Sequence, residues 1–214
     1  MIIQRFLFRY LRTPALTGLL AICLGLSAQA RADTILVLGD SISAAYGMSL
    51  EQGWVALLET ELASRESGYR VVNASISGET TSGGLRRLPA LLDEHQPQLV
   101  IIELGANDGL RGYPIGSFRS NLMSLVSLAQ DRGARVVLLP MEIPPNYGTR
   151  YTSAFRETFV VVSGETGALL GPFILDGFAT DPSLKQADGL HPRVEAQPLM
   201  LQNVLPAILD ALES

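Results

Sequence analysis

The sequence predicts an α/β fold of three layers, α/β/α, with a parallel sheet covered by helices on both faces, and two observations predict it. Four short runs rich in Val, Ile and Leu are apolar throughout instead of alternating, as strands buried on both faces are. Between them lie longer stretches whose apolar residues recur at helical spacing. Strands alternating with helices in this way build a parallel sheet with right-handed crossovers.

The first 32 residues stand apart from that pattern. Arg5, Arg9 and Arg12 form a basic start with no acid, the run from Ala15 to Ala28 is almost wholly apolar, and Ala30-Arg31-Ala32 offers small residues where a signal peptidase reads them. Those three regions in that order make an export signal, cut after Ala30 or Ala32. Its apolar part is shorter than the roughly 20 residues that span a bilayer, and Ile22 is too bulky for lipoprotein processing at Cys23. Residues 1–32 therefore read as a signal peptide and 33–214 as one domain, periplasmic or secreted, with no stable membrane anchor once the signal is gone.

Residues 34–39 (TILVLG) predict the first strand, and 54–66 the first helix, with apolar residues at 54, 55, 57, 58 and 62. The second strand falls at 70–74, a helix at 85–95, the third strand at 99–105, a helix at 117–132 and the fourth strand at 134–140. A helix over 195–212 closes the chain. No repeat or interdomain linker interrupts it.

Composition narrows the chemistry. The single cysteine, Cys23, lies in the signal, so the mature domain has neither a disulfide nor a cysteine nucleophile. The signal also takes four arginines with it, which leaves 12 Lys and Arg against 21 Asp and Glu, a net charge of −9. An acidic surface repels phosphate backbones and anionic membranes, so no nucleic acid partner is expected. HExxH, EF-hand, Walker and dinucleotide-binding patterns are absent from the sequence, so no metal or cofactor is implied. A monomer is expected.

Open α/β sheets place ligands beyond the carboxyl ends of their strands. Gly39-Asp40-Ser41 follows the first predicted strand, Ser77-Gly78-Glu79 the second and Gly105-Ala106-Asn107-Asp108 the third. Ser41, at a strand-to-helix turn, can present both its hydroxyl and its own N–H. Taken alone the tripeptide is a weak signal, since serine also caps helices. A serine nucleophile needs a base, and histidine titrates near working pH. Only His95 and His191 exist. His95, before a turn, reads as a solvated helix terminus, whereas His191 follows Asp188 by three residues across Gly189, close enough for the carboxylate to reach the imidazole. Gly78 N–H, the Asn107 amide and Ser41 N–H are candidate oxyanion donors. Read singly, Gly78 is also an ordinary turn glycine and Asn107 an ordinary turn asparagine.

Together, in order, Gly39-Asp40-Ser41, Gly78, Gly105-Ala106-Asn107-Asp108 and Asp188-Gly189-Leu190-His191-Pro192 resemble the conserved blocks of the SGNH (GDSL) hydrolases. Residues 71–78 and 104–112, with 144–148, are similar to the thioesterase and lysophospholipase branch of that family. The resemblance implies a flavodoxin-like parallel sheet, a Ser41–Asp188–His191 triad and an oxyanion hole of Ser41, Gly78 and Asn107. It also implies a periplasmic enzyme whose partner is a small-molecule acyl ester or thioester, lysophospholipids and aryl esters included. Two departures stand out: Ala106 replaces a glycine usual in close relatives, and Ala45 replaces one often found after the nucleophile.

The α/β-hydrolase elbow Gly-x-Ser-x-Gly is absent, since Ser43 stands two places after Ser41. Two other functions fit less of the pattern: a carbohydrate acetylesterase and a non-catalytic lipid-binding protein. Residues 144–148 read either as the border of an apolar groove or as plain surface, and 79–84 (ETTSGG) as a flexible lid or an ordinary loop.

Overall fold

Five parallel strands form one sheet: β1 (Asp33–Gly39), β2 (Tyr69–Asn73), β3 (Leu99–Glu103), β4 (Arg135–Leu138) and β5 (Leu169–Leu170), in the order β2-β1-β3-β4-β5. A computed structural model of the chain describes residues 33–213; the expected export signal lies outside them. This is the flavodoxin-like order, whose direction reverses between β1 and β3. Leu36 pairs with Val72 on one side and Val100 on the other. Every β3 residue is buried, as is every β1 residue after Asp33. That double burial is why these strands read as unbroken apolar runs.

The helices are α1 (Trp54–Ser64), α2 (Thr81–His95), the short α3 (Ala106–Leu110), α4 (Ile115–Gln130), α5 (Thr149–Thr166) and α6 (Gln197–Glu213). Helices α2, α4 and α5 pack side by side as one layer, and α1 packs on α6 in the other. Phe118 of α4 stacks on Phe155 of α5 at 4.8 Å, and both meet Phe159 edge-on. Among the described residues no helix is long and apolar enough to cross a membrane.

The structure corrects four expectations. Helix α5 and strand β5 were not foreseen. Helix α5 is rich in Thr and Val, poor helix formers, and its buried residues Phe155, Phe159 and Val162 are spaced among polar ones. Strand β5 has only two residues, too few for a pattern. Most of the loop expected at 79–84 is helix, because Thr80 caps Gly83 N–H at 3.2 Å and Thr81, Gly83 and Gly84 are buried as the first turn of α2. Finally, Ser41 stands in a run of tight turns rather than at a helix start; α1 begins only at Trp54.

Candidate active site

The site grows from the carboxyl ends of β1 and β3, at the point where the strand order reverses. At the end of β1, an added Cβ on Gly39 would come within 2.7 Å of both Glu103 Oε2 and Ser43 Cβ, so only glycine lets the chain turn there. The turn is pinned by Asp40, whose backbone carbonyl accepts from Ala44 N–H at 2.9 Å and whose Oδ1 accepts from Ile42 N–H at 3.0 Å. Ser41 projects from this turn. Ala45 adopts a left-handed backbone (φ 53°), which explains why glycine suits that position; the alanine stores about 1 kcal/mol of strain.

His191 arrives on a loop tied at its base. Lys185 bridges Pro192, Gln186 N–H donates to His191 O at 2.8 Å, and Gln186 Nε2 donates to Pro192 O and Tyr46 O at 2.9 and 2.7 Å. Within the loop, Asp188 Oδ1 accepts from Leu190 N–H and His191 N–H at 2.9 and 3.0 Å. Asp188 Oδ2 is 2.6 Å from His191 Nδ1, and His191 Nε2 is 2.8 Å from Ser41 Oγ. The imidazole bond, then the two backbone N–H groups, hold the Asp188 carboxyl down at about 2. A charged Asp188 keeps the proton on Nδ1 and leaves the Nε2 lone pair facing Ser41 Oγ. The Tyr46 ring lies 4.2 Å from the imidazole and limits its swing.

Gly78, with φ 79°, borders the same cleft, and its carbonyl accepts from Arg111 Nη2 at 3.0 Å. Asn107 stands in the first turn of α3 and donates from Nδ2 to Asp40 Oδ2 at 3.0 Å. Its neighbour Asp108 points inward, accepting from Thr81 Oγ1 at 2.6 Å and Thr81 N–H at 2.9 Å, which ties α3 to α2. Between them the four groups Ser41, Gly78, Asn107 and His191 border a cleft of about 230 Å³. Leu110, Met141, Pro144, Phe173, Leu175 and Leu190 make its apolar walls, Ala106 lines it too, and Tyr46, Ser77 and Glu142 add polar groups to its border. Of the loop at 144–148, Pro144 borders this cleft, and Tyr147 O–H donates to Leu110 O at 2.7 Å.

The structure brings Ser41, Gly78, Asn107, Asp188 and His191 to one place and leaves His95 elsewhere. His95 ends α2, on the side where β3 begins, and is mostly covered instead of solvated, at 17% side-chain exposure. Sequence reasoning missed a second layer beneath the site. Asp40 and Glu103 are both buried, and Glu103 Oε2 accepts from Ser43 Oγ at 2.8 Å and Asp40 N–H at 3.3 Å. Burial pushes the Asp40 carboxyl up to about 6, and burial with the nearby Asp40 charge pushes Glu103 well above the usual carboxylate range. A lone acid inside an apolar strand, Glu103, was the signal for this layer. Among the described residues no cluster of His, Cys, Asp or Glu is arranged to hold a metal ion.

A hydroxyl, an imidazole and a carboxylate in one hydrogen-bonded row, at the switch point of an open parallel sheet, put the protein in the class of serine esterases with a three-layer fold. Residues 37–197 match the GDSL-like Lipase/Acylhydrolase family, and the chain belongs to that family. It is 51% identical over 202 residues to Esterase TesA of Pseudomonas aeruginosa, covering 94% of this chain and 100% of that protein. It is 43% identical over 171 residues to Thioesterase 1/protease 1/lysophospholipase L1 of Escherichia coli, covering 80% and 81%. Among solved structures, the psychrotrophic esterase EstA of Pseudoalteromonas sp., inhibited by monoethylphosphonate, superposes with a TM-score of 0.82 at 46% identity, covering 85% of this chain and 100% of that one.

Proposed function

We propose that the protein is an exported esterase and thioesterase that works through an acyl-enzyme on Ser41. The observation that carries this reading is the row Asp188–His191–Ser41, with contacts of 2.6 and 2.8 Å. His191 takes the Ser41 proton as Oγ attacks the acyl carbonyl, and the carbonyl oxygen becomes the oxyanion. The N–H groups of Ser41 and Gly78 and the Asn107 amide receive that charge. Collapse breaks the bond to the thiol or alcohol, which leaves with the His191 proton. Water, deprotonated by His191, then attacks the acyl-enzyme and frees the acid and Ser41.

The apolar walls favour an acyl chain over a sugar, and the names of the similar proteins support thioesters, lysophospholipids and simple esters as substrates. An acetylesterase for carbohydrates has no need of such walls. Residues 1–32 support export by their basic, apolar and small-residue regions; the intact mass of the periplasmic protein tests that, with loss of 30 or 32 residues expected. The activity test is hydrolysis of p-nitrophenyl esters from acetyl to palmitoyl by wild type and Ser41→Ala. Activity on medium or long chains, abolished in the variant, is expected. Activity retained by Ser41→Ala would remove the nucleophile, and activity confined to acetyl would favour the carbohydrate esterase.

A further inference from the structure

We propose that Asp40 is a positioning residue that aims the Asn107 amide at the oxyanion, an inference that rests on the acyl-enzyme reading above. The two ends of an asparagine amide are nearly alike in shape and opposite in polarity. Facing the cleft with N–H stabilises an oxyanion; facing it with Oδ1 repels one. Asp40 decides between these ends. Its carboxylate only accepts, and its Oδ2 takes one Nδ2 hydrogen of Asn107 at 3.0 Å. The second Nδ2 hydrogen stays available to the cleft that Asn107 lines.

The carboxylate itself has no freedom. Asp40 is 1% exposed, and its other oxygen is held by the Ile42 N–H at 3.0 Å. The groups facing it are Glu103 from β3, Asn107 and Asp108 from α3, and His191 from its loop. Glu103 is fully buried, and its Oε1 is without a partner among the described residues. Two carboxyls in one buried space do not both ionise readily. Asp40 has donors on both oxygens, from the Ile42 N–H and the Asn107 amide, whereas Glu103 Oε1 has none, so the single negative charge rests on Asp40 at neutral pH, where Asn107 needs an acceptor. As pH falls through about 6, Asp40 takes up a proton and its hold on the N–H end is lost.

Replacing Asp40 by asparagine inverts the arrangement. The Ile42 N–H is fixed in the turn, so the new amide keeps its oxygen there and turns its NH₂ toward Asn107. Asn107 must then offer Oδ1 to Asp40's replacement and lose its set orientation. The test is a cycle of Asp40→Asn, Asn107→Ala and the double variant on a soluble p-nitrophenyl ester, with kcat and KM separated and folding checked by Tm. Each single change is expected to lower kcat by about 10²–10³ with KM little altered. The double variant is expected to be no slower than Asn107→Ala alone. Losses that multiply in the double variant, or wild-type kcat in Asp40→Asn beside a slow Asn107→Ala, would overturn the positioning role and leave the oxyanion hole standing. Wild-type kcat in Asn107→Ala would instead overturn the oxyanion reading beneath it. A pH profile guards against a variant that fails to fold: below pH about 6, kcat of wild type is expected to fall more steeply than that of Asn107→Ala, and equal slopes would overturn the proposal.

Discussion

Asp188 works with both of its oxygens, one on the backbone of its own loop and one on the imidazole, and it does so although its side chain is 39% exposed. Hydrogen bonds, not burial, set its charge. Its carboxyl stays ionised at any pH well above about 2, so an acid limb of activity near neutrality belongs to other groups. Asp188→Asn keeps the shape and removes the charge that holds the proton on Nδ1. It is expected to lower kcat by up to about 10⁴, by analogy with better-known triads; steady-state kinetics at pH 7 checks it, and a loss under tenfold would count against this role for Asp188. At this scale the sequence was informative where chemistry is carried by spacing. Asp188 and His191 are three apart, and the histidine count left little choice. Asp40 and Glu103 were not legible as a pair, because 63 residues separate them and only the β1–β3 register brings them together.

Among the elements, the junction of β3 and α3 does most to place Asn107. Gly105 takes φ 125°, and an added Cβ would approach Phe118 to 2.7 Å and Phe159 to 3.2 Å. Both the backbone and the aromatic cluster behind it forbid a side chain. Gly105→Ala is expected to cost at least about 2 kcal/mol, a fall in Tm of roughly 4–8 °C, and to lower kcat as α3 shifts. Thermal melts and an ester assay check both, and an unchanged Tm would contradict the packing described. The third strand was legible as an apolar run, but not the helix that starts one residue after Gly105. Five residues of ANDGL carry no helical period; their helix is held by the bonds of Asp108 to Thr81. The same bonds turn Thr81 inward and convert an expected loop into the start of α2.

For the molecule as a whole, the buried carboxyl at Asp40 is a cost to stability. Its folded value of about 6 lies above the ordinary 3.8, so the native state binds the proton more tightly than the unfolded chain. This contribution favours folding at low pH and is lost as pH rises from about 4 through about 6. Asp40→Asn has no such loss. Its stability relative to wild type is therefore expected to rise between pH 4 and 7, by on the order of 3 kcal/mol, in urea unfolding at each pH. A constant difference would show that Asp40 does not titrate as described. The layered class was readable from runs of apolar residues, whereas strand order was not, since periodicity says which segments are strands and nothing about which are neighbours. The family resemblance supplied the order.

The chain has one tryptophan, Trp54, and it is fully buried, with its indole N–H on Ser43 Oγ at 3.2 Å. Ser43 in turn donates to Glu103. The only indole chromophore is thus wired, through one hydroxyl, to the carboxyls beneath Ser41. Its fluorescence reports on that layer without any label: emission from a dry environment in the native state, a red shift on unfolding, and a change in intensity as the carboxyl pair gains its second proton.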